Sequence, residues 1–72
     1  MRTLYVVEDR TAGGRWLQCS TYDTHFAAID RLRYEARAIA RDDTLGLVYL
    51  NNKRLKTLCG YEMRIDPIEV SG

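Results

Sequence analysis

Apolar and polar residues recur along this chain with two different periods, and the change of period divides it into elements. From Asp23 to Arg41 the apolar positions return every three to four residues. Phe26, Ile29, Leu32, Ala36, Ile39 and Ala40 fall within one broad stripe when each residue advances about 100°. The run holds five alanines with Leu, Arg and Glu, and no Gly or Pro, so it predicts a helix. Asp23 or Thr24 can cap its start, because a short side-chain oxygen accepts a bond from a first-turn N–H that lacks a partner. Arg37 and Arg41 suit the negative pole at its end, where Asp42-Asp43 is disfavoured and breaks the pattern.

On both sides of this helix the period shortens towards two. Arg2 to Glu8, with Leu4, Tyr5, Val6 and Val7, predicts a strand. Asp9 to Gly14 is a loop whose paired glycines supply the positive φ that hairpin connections use. Arg15 to Tyr22 returns as a second strand, with Leu17, Cys19 and Thr21 the expected core face. Trp16 and Tyr22 are then left partly exposed or at a sheet edge, and the pattern also permits the reverse facing. After the helix, Thr44 to Leu50 predicts a strand, Asn51-Asn52 a turn, and Lys53 to Cys59 a strand pairing back. A two-residue loop places Val48 opposite Leu55, and a three-residue loop shifts every facing. Neither gives a clean apolar face, so that register stays open. Gly60 reads as a bulge or bend. Tyr61, Met63 and Ile65 alternate with Glu62, Arg64 and Asp66 in a half-buried strand that Pro67 should end, leaving Ile68 to Gly72 as a tail.

The element order is ββαβββ. One helix across one face of a single antiparallel sheet of four to five strands buries both apolar faces, which makes the fold class α+β. The other sheet face is left for water or a partner. Seventy-two residues make one domain, 1–72, with a thin core, and a homodimer that completes the core suits this size.

Composition changes the picture in few places. A hydrophobic fraction of 46%, spread through periodic segments, argues against a disordered chain. Eleven basic against ten acidic residues give a net charge of +1, so no global field draws the protein onto nucleic acid, although local patches still can. Cys19 and Cys59 each lie in an apolar run and are expected as buried, reduced thiols; whether they are ever bridged is open. The first apolar run is too short for a signal peptide or membrane span, which points to the cytoplasm and to no membrane partner.

No catalytic or metal motif stands out, so an enzyme and a cofactor are not expected. His25, alone at the helix start, is expected as an exposed side chain and makes no zinc site with two remote cysteines. Ser20 and Thr21 lack an adjacent base. The acidic pairs Glu8-Asp9 and Asp42-Asp43 read as solvated loops, and Gly13-Gly14 lacks the lysine and spacing of a phosphate loop.

Surface chemistry is more informative. Arg33, Arg37 and Arg41 follow at i, i+4 and i+8 and rise along one side of the helix, with Asp30 and Tyr34 in the same sector. Arg31 and Glu35 form a separate i, i+4 pair. Lys53, Arg54 and Lys56 make a second basic cluster at the tip of the hairpin. Arginine stems also cover apolar surface on ordinary solvated faces, which is the plain alternative. Trp16 and five tyrosines combine apolar area with a polar handle, a composition that suits interfaces as well as the edges of a small core.

These features give a candidate partner-binding set of Arg33, Tyr34, Arg37, Arg41, Lys53, Arg54, Lys56 and Trp16, and a non-catalytic protein-binding module as the first expectation. The plan of a short N-terminal hairpin (Leu4-Tyr5-Val6-Val7, Gly13-Gly14, Trp16-Leu17), the Asp23–Arg41 helix and a second β segment resembles small phage-encoded anti-CRISPR proteins. That resemblance covers most of the chain at the level of architecture. It implies stoichiometric binding to a host protein or ribonucleoprotein, a CRISPR effector complex, through charged and aromatic surface residues. A nucleic-acid-binding protein using the two basic clusters, and a homodimeric structural protein using a sheet face or edge, are the alternatives.

Overall fold

The helix carries the chain from one edge of a sheet to the other. The structure, a computed structural model, describes residues 1–42 and 46–71. Its elements are β1 (Arg2–Arg10), β2 (Leu17–Tyr22), α1 (His25–Ala40), β3 (Leu47–Leu50), β4 (Arg54–Thr57) and β5 (Glu62–Val70). The strands form one antiparallel sheet in the order β2-β1-β5-β4-β3. This is the expected α+β class and ββαβββ order, with five strands. Asp43, the start of the expected third strand (Thr44 and Leu45) and Gly72 lie outside the described residues.

Because β2 and β3 are opposite edges and α1 joins them, the helix must span the sheet. Its sixteen residues reach roughly 24 Å, enough to cross four strand spacings of about 4.8 Å. Of the two candidate caps, Thr24 is used: its Oγ1 accepts from the Ala27 N–H at 3.1 Å. The core lies between helix and sheet. Ala28, Leu32, Ala36 and Ile39 of α1 pack with Val7, Leu55, Met63 and Ile65, and Tyr5, Tyr22, Ile29 and Tyr61 close its margins.

Several expectations are corrected. Phe26 is not part of the buried stripe; it is 68% exposed. The slot facing the sheet in the first turn belongs to His25, half-buried rather than exposed, whose ring stacks on Tyr5 with centroids 5.2 Å apart. In β2 the expected face of Leu17, Cys19 and Thr21 fails because Cys19 is an extra residue between the Val7–Ser20 and Glu8–Gln18 pairs. Ser20 and Tyr22 share the helix side with Val7 and Tyr5, Thr21 sits beside Val6 on the open side, and Leu17 is exposed. Cys19 and Cys59 are free and exposed, not buried.

The second hairpin pairs Leu50 with Leu55, neither of the two registers considered. Asn51 builds its turn: its Oδ1 accepts from the backbone N–H groups of Lys53 and Arg54, each at 2.8 Å. Gly60, with φ of +88°, closes the tight β4–β5 connection, and its Cα lies against Ala12 so closely that a Cβ would meet the Ala12 methyl at 2.6 Å. Pro67 does not end pairing, since β5 runs through it to Val70 with Pro67 opposite Tyr5. The reason is directional. The Ile65 N–H points to Lys53 O on the β4 side, and position 67, two residues on, faces the same side beyond the end of β4. No ladder bond is lost.

Candidate functional site

The eight candidate residues divide between two faces. On α1, a step of about 100° per residue places Phe26, Asp30, Arg33, Tyr34, Arg37 and Arg41 in one sector, opposite Ala28, Leu32, Ala36 and Ile39. All six are exposed, with Tyr34 at 65%. Tyr34, Arg37, Ala38 and Arg41 line a small recess of about 140 Å³. None of the three arginines makes an ion pair among the described residues, not even with Asp30. Phe26 is the member sequence reasoning missed. The signal for it was present, since it stands seven residues before Arg33 and therefore two helical turns below it on the same side.

Arg54, Lys56 and Trp16 belong to the other side of the molecule. Leu55 and Thr57 turn into the core, so Arg54 and Lys56 point away from the helix, with Lys53 at the hairpin tip. The two basic clusters are not brought together.

This open sheet face is largely self-satisfied. Arg64 donates to Glu8 at 2.9 Å and Arg10 to Glu62 at 3.2 Å, both pairs directly cross-strand. The guanidinium groups of Arg10 and Arg64 lie 4.5 and 4.1 Å from the centroid of the Trp16 ring. Trp16 is thus a cation–π bridge for two cross-strand ion pairs. Arg54 stands opposite Arg64 in register and has no ion pair among the described residues. With Tyr49, Asn51, Lys53 and Ile65 these two arginines line a recess of about 360 Å³.

A third feature is an apolar recess of about 360 Å³ at the far end of α1, lined by Thr11, Ala12, Glu35, Ile39, Cys59 and Tyr61. Cys59 is the thiol among its described lining residues. Bonds from the Thr57 hydroxyl and the Tyr61 backbone to its sulfur favour the thiolate and lower its pKa. Glu35, the carboxylate among the described lining residues, is engaged with Arg31 at 3.0 Å, and His25 is at the other end of the helix. Tyr61 donates its hydroxyl to Asp9 at 2.8 Å, and burial together with that carboxylate raises its pKa well above the ordinary tyrosine range. Among the described residues no group of three or more His, Cys, Asp or Glu could hold a metal ion, and no helix is long and apolar enough to cross a membrane.

The helix face is therefore the one whose chemistry is unspent. It combines three arginines that make no ion pair among the described residues with two large, exposed aromatic rings. Comparison with known protein families, curated proteins and solved structures finds no match to this chain.

Proposed function

We propose that the protein is a non-catalytic binding module that docks through the outward face of α1 onto a protein surface rich in carboxylates. One observation carries the reading: Arg33, Arg37 and Arg41, without ion pairs among the described residues, share a sector with Phe26 and Tyr34, each about two-thirds exposed. Arginine and large aromatic side chains supply most of the energy at protein interfaces. A guanidinium fork also matches a carboxylate in a way a lysine does not. The resemblance to phage-encoded anti-CRISPR proteins fits this reading, and under it the partner is a CRISPR effector complex and the outcome is stoichiometric inhibition in the cytoplasm.

The test is affinity capture from host lysate with the wild-type chain and with an Arg33→Ala, Arg37→Ala, Arg41→Ala variant, alongside titration into a purified effector. Loss of the captured partner in the variant supports the reading, and equal recovery by both chains overturns it. An effector left fully active by a molar excess of protein removes the inhibitor assignment specifically. Nucleic acid is the competing partner. Because the two basic clusters occupy opposite faces, one duplex contacting the helix meets three arginines rather than six cations. Binding to DNA through that face would show a log–log salt slope of about −3.

A further inference from the structure

Among the described residues β2 and β3 each lack a second neighbouring strand, and these two edges are built differently. β2 presents Gln18, Ser20 and Thr21 and is interrupted by the extra residue Cys19. β3, at the other end, reads Leu47-Val48-Tyr49-Leu50, with exposures of 38, 57, 45 and 39%. Beside it Leu58, 80% exposed, is tied to the start of the strand by its N–H, which donates to Gly46 O at 2.8 Å. Edges of natural sheets are usually protected by lysine, proline or inward-pointing charge, because an open row of N–H and C=O groups invites another strand. β3 carries no charged residue or proline, and its shortness, four residues, limits what can pair with it. Its one irregularity is the extra residue Val48, between the Leu47–Thr57 and Tyr49–Lys56 pairs.

We propose that β3 is a self-association edge: two copies pair β3 against β3, antiparallel across a twofold axis, and join their five-stranded sheets into one. The occupant is a second copy for three reasons. A twofold contact demands a patch that complements itself, and an uncharged apolar strand with free donors and acceptors along one side does so. Pairing it with itself sets no like charges opposite each other. The cations of β4 lie one strand back, so they stand about 14 Å from their mates, beyond the Debye length of about 8 Å in physiological salt. The area sets the strength. The five apolar side chains expose on the order of 500 Å² per copy, so pairing hides at most about 1,000 Å², below the roughly 1,200 Å² at which stable specific interfaces begin and within the range of weak, transient ones. The dimer is accordingly weak and concentration-dependent. This inference does not rest on the helix-face reading.

The experiment is sedimentation velocity and light scattering on the full chain from about 5 to about 500 μM, a range that brackets a dimer with a Kd of tens of micromolar, about 50 μM. The expected result is a monomer–dimer equilibrium that stops at two. Val48→Lys, at an exposed position outside the core, should weaken dimerisation at least tenfold while leaving the circular dichroism spectrum unchanged. Phe26→Lys, on the helix face, should leave dimerisation intact. A strict monomer at the highest concentration overturns the proposal. So does growth beyond the dimer, or a dimer abolished by Phe26→Lys and untouched by Val48→Lys.

Discussion

Cys19 and Cys59 are both exposed, yet their surroundings push them in opposite directions. Burial of the Cys19 sulfur and its contact with the Asp9 carboxylate disfavour the thiolate and raise its pKa, whereas the bonds from Thr57 and Tyr61 lower that of Cys59. Alkylation follows the thiolate fraction, so iodoacetamide at pH 7.5 should modify Cys59 first. The rate–pH profile of Cys59 should also rise at lower pH than that of Cys19, read by peptide mass spectrometry on each cysteine. Faster labelling of Cys19 would contradict the assigned hydrogen bonds. Trp16 shows a different lesson at the same scale. Its residue type suggests an interface anchor, but its partners, Arg10 and Arg64, come from β1 and β5, and their approach to one ring follows from a strand register that residue type alone does not specify.

In α1 the division between buried and outward sectors makes a sharp stability contrast. Leu32 is fully buried, and Leu32→Ala should cost about 2–5 kcal/mol, a large share of the stability of so small a domain. Phe26→Ser, at a 68% exposed site, should change stability by no more than about 0.5 kcal/mol in urea unfolding while weakening partner binding. A Phe26 variant that unfolds the domain would return that ring to the core. The existence and order of the elements were legible in the sequence because each apolar run has its own period. The facings were less so. One residue of slip about α1 moves a side chain by about 100°, and His25 rather than Phe26 takes the slot over Tyr5. In β2 and β3 the extra residues Cys19 and Val48 break the period of two, and nothing in their residue types announces it. Pro67 misled for the opposite reason: its missing N–H matters only if a neighbouring strand is there to accept it.

Across the whole molecule, a net charge of +1 conceals two unlike faces. One is a sheet surface where Glu8, Arg10, Glu62 and Arg64 answer each other across strands; the other is a helix surface where Arg33, Arg37 and Arg41 make no ion pair among the described residues. The helix flank was readable from i, i+4 spacing, but its separation from Lys53, Arg54 and Lys56 was not, since that depends on which side of β4 the core occupies. The central ladder has a further consequence, for the speed of folding. β1 and β5 pair from Arg2 with Val70 to Arg10 with Glu62, so the longest run of strand contacts joins the most distant parts of the chain. Closing so large a loop costs entropy before any contact repays it, and non-local pairing slows folding. A circular permutant that links Val70 to Arg2 through a short glycine-rich connection and opens the chain between α1 and β3 turns that ladder into a local hairpin and leaves every other strand pair adjacent in sequence. It should refold several-fold faster than the parent in stopped-flow dilution from urea. Equal rates would mean that the β1–β5 ladder forms after the rate-limiting step.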